Sequence, residues 1–129
     1  MSEMQEFGTI SGRVVRGKQL GRTLGFPTAN IECDPSGIAD AGGVYAGWTA
    51  VDGVFYPVVL NIGLHPTFPE GAFSVEAHLI GYEGDLYGRE LFVRIIERIR
   101  EEMRFPDGES LSRQLHSDVE EALRIFREE

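Results

Sequence analysis

Pro27-Thr28-Ala29-Asn30 sets a hydroxyl and a carboxamide oxygen two residues apart. In an extended segment such a pair shares one face. Both are neutral, hard oxygen donors, suited to a Mg²⁺ whose charge is balanced mainly by phosphates. Upstream, Gly12 to Lys18 spells G-x-x-x-x-G-K, a phosphate-binding P-loop lacking its closing Ser or Thr because position 19 is Gln. Downstream, Ala72 to Ile80 alternates, with Phe73, Val75, Ala77 and Leu79 on one side and Ser74, Glu76 and His78 on the other. Glu76 is therefore a carboxylate on the polar face of a strand. Taken alone, Thr28 and Asn30 also read as turn residues after proline, and Glu76 as a solvated side chain.

The charge distribution favours an anion near the first of these segments. The chain of 129 residues carries a net −9, yet residues 7–31 contain Arg13, Arg16, Lys18 and Arg22 and no acid. A basic, glycine-rich stretch in an acidic protein is where a polyphosphate would be drawn. A P-loop mechanism is not expected, since it needs a helix directly after the loop. Here Gly21, Gly25 and Pro27 follow, and Gln19 offers no hydroxyl. Backbone N–H groups of a glycine-rich loop can nevertheless form an anion nest without a helix.

Elements able to position these groups are visible. Residues 9–16 suggest a strand. GVYAGWTAV and VFYPVVLNI flank Asp52-Gly53, the signature of a type I′ hairpin. Pro57 lacks a ladder donor and is expected at a sheet edge or bulge. Leu91 to Ile99 reads as a further strand. From Leu111 the apolar positions 111, 115, 119, 122, 123 and 126 predict one terminal helix, with Ser110 or Ser112 as its N-cap. Five or six short strands and a helix predict a β-barrel or sandwich with a helix packed on it.

The length fits a single domain spanning residues 1–129. No run approaches a membrane span, the N-terminus lacks the pattern of a secretory signal, and the cytoplasm is the expected location. The acidity argues against nucleic-acid and anionic-membrane surfaces. Cys33 is the only cysteine, so no intramolecular disulfide or cysteine-built metal site exists. His65, His78 and His116 show no metal spacing and read as structural or surface residues. Tyr45, Trp48, Phe55 and Tyr56 read as barrel core and surface.

The ordered set GRVVRG…GRTLGFPTANI, NIGLHPTF, SVEAHLI, DLYGRELFV and RIREEMRF resembles the riboflavin kinase family over nearly the whole chain. The resemblance implies an all-β fold, a closed six-stranded antiparallel Greek-key barrel with one C-terminal α-helix. It implies phosphorylation of riboflavin to FMN with ATP as co-substrate. It places Thr28 and Asn30 on the metal of MgATP, with Mg²⁺ expected and Zn²⁺ or Mn²⁺ as other candidates. It assigns Gly17 and Arg22 to the nucleotide, Glu76 to the general base, and Arg100, Met103 and Phe105 to the flavin. The expected partners are riboflavin, FMN, ATP and ADP, with the chain a monomer related to the kinase half of enzymes fused to an FMN adenylyltransferase. The alternative is a non-catalytic flavin-binding barrel, a carrier or regulator, which would need neither metal ligands nor base.

Overall fold

The computed structural model describes residues 8–16, 25–33, 42–64 and 73–128. Its elements are β1 (Thr9–Val15), β2 (Ala29–Glu32), β3 (Gly43–Val51), β4 (Val54–Leu64), β5 (Phe73–Leu79), β6 (Glu90–Arg100) and α1 (Gly108–Arg127). The strands close in the order β1-β2-β5-β4-β3-β6, with β6 returning to β1 and every pairing antiparallel. β3, β4 and β5 form a meander, and β2 lies beside β5 rather than β3, a Greek-key arrangement. Barrel and sandwich share the same alternation along each strand; the β1–β6 pairing decides for the barrel.

Alternation fills the lumen. Ile10, Val14, Ile31, Leu60, Ile62, Val75, Ala77 and Val93 belong to one buried cluster. A second cluster, Val44, Ala46, Val59, Ala122 and Ile125, lies between the outer wall and α1. β3 is consequently buried on both faces over Gly43–Gly47, which is why its sequence runs apolar without alternating. Its hairpin to β4 has Asp52 at φ 52° and Gly53 at φ 84°, the backbone a type I′ turn requires. Pro57 sits opposite Trp48, and β5 ends at Leu79, just short of it, with Ile80 N–H donating to the Pro57 carbonyl at 2.8 Å. Proline is tolerated where the neighbouring strand stops.

The helix departs from the apolar pattern. It begins at Gly108 with Asp107 as N-cap, and Ser110, a predicted cap, instead donates its N–H to the Asp107 carboxylate at 2.8 Å. That backbone hydrogen bond holds the Asp107 carboxyl below its ordinary value. The fully buried positions of α1 are Asp118, Ala122 and Ile125, whereas Leu111, Leu115 and Phe126 are half-buried. An apolar periodicity cannot reveal a stripe that contains an aspartate.

Gly12, which opened the P-loop-like motif, has a barrel role. A Cβ there would lie 2.2 Å from the backbone oxygen of Glu32 on the paired strand. Gly12→Ala must push β1 and β2 apart, and the expected cost is about 1–3 kcal/mol. Chemical denaturation checks this: an unchanged midpoint would show that the two strands separate freely.

Candidate active site

The ladder register brings together residues that are far apart in sequence. Arg100 of β6 pairs with Val44, Val44 with Asn61, Asn61 with Glu76, Glu76 with Asn30, and Asn30 with Val15. Paired residues share a face of the sheet, so Arg100, Asn61, Glu76 and Asn30 form one transverse row on the outer wall. Thr28 joins the row from the segment entering β2. Its burial and that of its neighbours alternate, Thr28 and Asn30 half-buried around buried Ala29, as the extended reading predicts. Thr28 Oγ1 donates to Glu76 Oε1 at 2.9 Å. The hydroxyl, carboxamide and carboxylate picked out in the sequence thus converge.

The Asn30 side chain adds a chemical indication. Its Nδ2 is buried without a hydrogen-bond partner. A half-turn of the terminal torsion would exchange nitrogen for oxygen at little cost. A hydroxyl oxygen, a carboxamide oxygen and one carboxylate are all hard donors, and together they suit a cation that keeps most of its shell on phosphates and water. They do not make a self-sufficient metal cage: among the described residues no group of three or more His, Cys, Asp or Glu could hold an ion.

Thr28 and Asn30 open into a cleft of about 500 Å³, formed by the end of β1, the start of β2, the end of β5 and the turn through residues 82–87. Arg16 reaches into it with its guanidinium 4.3 Å from the centre of the Tyr87 ring, a cation–π contact. Tyr82 and Asp85 line the same cleft. Of the residues the resemblance assigns to the nucleotide, Gly17 and Arg22 lie outside the described residues.

The three expected flavin residues differ in their surroundings. Arg100 is held by Asp118 of α1, with Nε 2.9 Å from Oδ1 and Nη2 2.8 Å from Oδ2, and the two side chains are 15% and 1% exposed. Gln114 also donates to Asp118, at 3.0 Å. Phe105 is half-buried, its ring 5.8 Å from the Arg100 guanidinium, and Met103 is exposed. Sequence reading missed Asp118, because a carboxylate amid apolar helix positions reads as surface until its arginine is placed. It also missed Phe26, buried against the His78 and His116 rings. Its position directly before the Pro27 block was the available signal.

Fold and site define a class first: a closed antiparallel barrel with an oxygen-donor cluster on its outer wall beside an open cleft whose lining includes Val14, Ala77 and Leu79 of the lumen cluster. Comparison with known proteins is specific. The family model described as Flavokinase, riboflavin kinase, matches residues 4–126. The RNA-binding riboflavin kinase RibR of Bacillus subtilis is 41% identical over 111 residues, covering 85% of this chain and 47% of that protein. The bifunctional riboflavin kinase/FMN adenylyltransferase of the same organism is 40% identical over 121 residues, covering 91% and 38%. Riboflavin kinase from Trypanosoma brucei superimposes with a TM-score of 0.69 at 25% identity, covering 92% of this chain and 79% of that one. The chain belongs to the riboflavin kinase family. It spans less than half the length of the curated relatives it matches.

Severing the Arg100–Asp118 pair leaves a buried guanidinium without its counter-ion. Asp118→Ala is expected to lose about 3–5 kcal/mol. Equilibrium unfolding measures it, and a loss under about 1 kcal/mol, the scale of an exposed pair, would show that α1 is held by its apolar contacts alone.

Proposed function

We propose that this chain transfers the γ-phosphoryl group of ATP to the 5′-hydroxyl of riboflavin, giving FMN and ADP. The observation that carries the reading is the convergence of Thr28, Asn30 and Glu76 at one point of the outer wall. A non-catalytic flavin barrel has no need for that cluster. Family membership supports the same reading.

Phosphoryl transfer is mostly alignment and charge neutralisation, with a carboxylate to take the proton of the attacking hydroxyl. In the proposed step the riboflavin 5′-oxygen forms a bond to the γ-phosphorus while the bond to the β,γ-bridging oxygen breaks and ADP leaves. The hydroxyl proton passes to Glu76. Thr28, by donating to Oε1, fixes the rotation of the carboxylate and leaves Oε2 as the oxygen offered to the hydroxyl. Thr28 and Asn30 would hold the divalent metal that accompanies ATP, Mg²⁺ in this reading with Zn²⁺ or Mn²⁺ as substitutes, which neutralises phosphate charge. Arg16 stands at the cleft as a further cation, and Gly17 and Arg22 remain the proposed nucleotide loop residues. Arg100, Met103 and Phe105 remain the proposed flavin contacts. Arg100 keeps α1 on the barrel through Asp118.

The proposal covers the kinase step only, performed by residues 1–129 as one domain, a monomer in the cytoplasm. Among the described residues no helix is long and apolar enough to cross a membrane. The bifunctional activity named for the relatives is not transferred.

Incubating the protein with riboflavin and MgATP and separating the products tests this directly. FMN and ADP should appear in equal amounts. Riboflavin that binds but stays unphosphorylated would instead establish the non-catalytic barrel. Glu76→Gln keeps a polar partner for Thr28 while removing the proton acceptor, and turnover should fall at least about a hundredfold. Near-normal turnover in that variant would remove Glu76 from the role of base.

A further inference from the structure

Thr28 must be held accurately, yet it stands where the sheet stops helping. Among the described residues β2 pairs with β5 only at Ala29–Ala77 and Asn30–Glu76, and with β1 from Asn30 onward. Thr28 is beyond both ladders. The residue before it is proline, which has no N–H to donate, and the peptide leading into Thr28 presents the carbonyl of Pro27. That carbonyl is engaged at 2.7 Å by Nδ1 of His78. A carbonyl oxygen only accepts, so Nδ1 carries the proton of this bond.

His78 lies two residues beyond Glu76 on the same face of β5. One strand therefore grips both sides of the Thr28 backbone and side chain: Glu76 takes the hydroxyl, and His78 takes the preceding carbonyl. The imidazole is itself held. Phe26, 8% exposed, presents its ring edge-on to His78 at 5.6 Å between centroids and to His116 of α1 at 4.8 Å. α1, Phe26, His78, Pro27, Thr28 and Glu76 form one continuous chain of contacts.

We infer that His78 is a positioning residue for phosphoryl transfer: its Nδ1–H fixes the Pro27–Thr28 peptide and so aims the Thr28 hydroxyl at Glu76 and the metal-side cluster. The inference rests on the kinase reading for its catalytic consequence, and on geometry alone for the placement of Thr28. It calls for no direct contact between His78 and substrate. Small displacements of aligned groups are costly in rate, on the order of a hundredfold for about 1 Å.

The test uses two replacements that differ in where they present a donor. The Nδ2 of asparagine lies close to where histidine has Nδ1, whereas glutamine extends its donor beyond it. His78→Gln should lower kcat/KM for MgATP about ten- to a hundredfold, and His78→Asn should restore most of that loss. A second readout needs no turnover: in ¹H–¹³C NMR spectra of the substrate-free protein, the Thr28 methyl resonance should move in His78→Gln and stay near its original position in His78→Asn. A Thr28 methyl that is unmoved in His78→Gln, or an asparagine variant as impaired as the glutamine one, would overturn the inference. Should the unsubstituted protein form no FMN while the methyl behaves as described, the kinase reading fails and the placement of Thr28 by His78 stands.

Discussion

Six antiparallel strands close around a lumen narrower than that of eight-stranded barrels, which themselves have little more room than their own side chains fill. Here the interior is taken up by aliphatic residues from every strand, Val58, Leu60, Ile62 and Val93 among the least exposed. The outside of the wall offers groups only at alternate positions of each strand. Glu76 is available because Val75 and Ala77 point inward; a one-residue slip of β5 would bury the carboxylate and expose the core.

The same constraint explains why the helix matters to a site it does not directly build. An outer wall is open to water unless something covers it, and α1 covers the β3–β4 side through Val44, Ala46, Val59, Ala122 and Ile125. Apolar contact alone gives a helix little preference for one exact seat. The bidentate Arg100–Asp118 pair adds direction, because two parallel hydrogen bonds in a site 15% and 1% exposed fit only one geometry. Arg100 also begins the transverse row that runs through Asn61 to Glu76 and Asn30. The seating of α1 and the register of the site are thus referred to one strand.

Much of this architecture is written locally and was legible. Alternation in β5 gives the face of Glu76, Asp-Gly gives the β3–β4 turn, and the two-residue spacing of Thr28 and Asn30 gives their shared side. The illegible parts depend on partners distant in the chain. Asp107 caps α1 through geometry that Ser110 and Ser112 mimic in composition. Asp118 interrupts an apolar stripe and makes sense only once Arg100 is opposite it. Gly12 resembles part of a phosphate loop, yet Glu32 leaves no space there for a side chain. That Thr28 meets Glu76, 48 residues away, follows from the β2–β5 register and from no local pattern. Periodicity gives the face on which a polar residue stands; which of those residues to propose for chemistry came from the motif resemblance.

Closure has one more effect. An open sheet ends in two strands whose free N–H and C=O groups invite pairing with any neighbour, whereas among the described residues each strand of this ring of six has a partner on both sides. Such a unit can be tethered to an unrelated folding domain without the two sheets competing for each other's strands during synthesis. In the relatives the matched region makes up 38% and 47% of the polypeptide, so most of each chain lies outside it. A fold that refuses new strands is for that reason well suited to being one cassette among several in a longer chain.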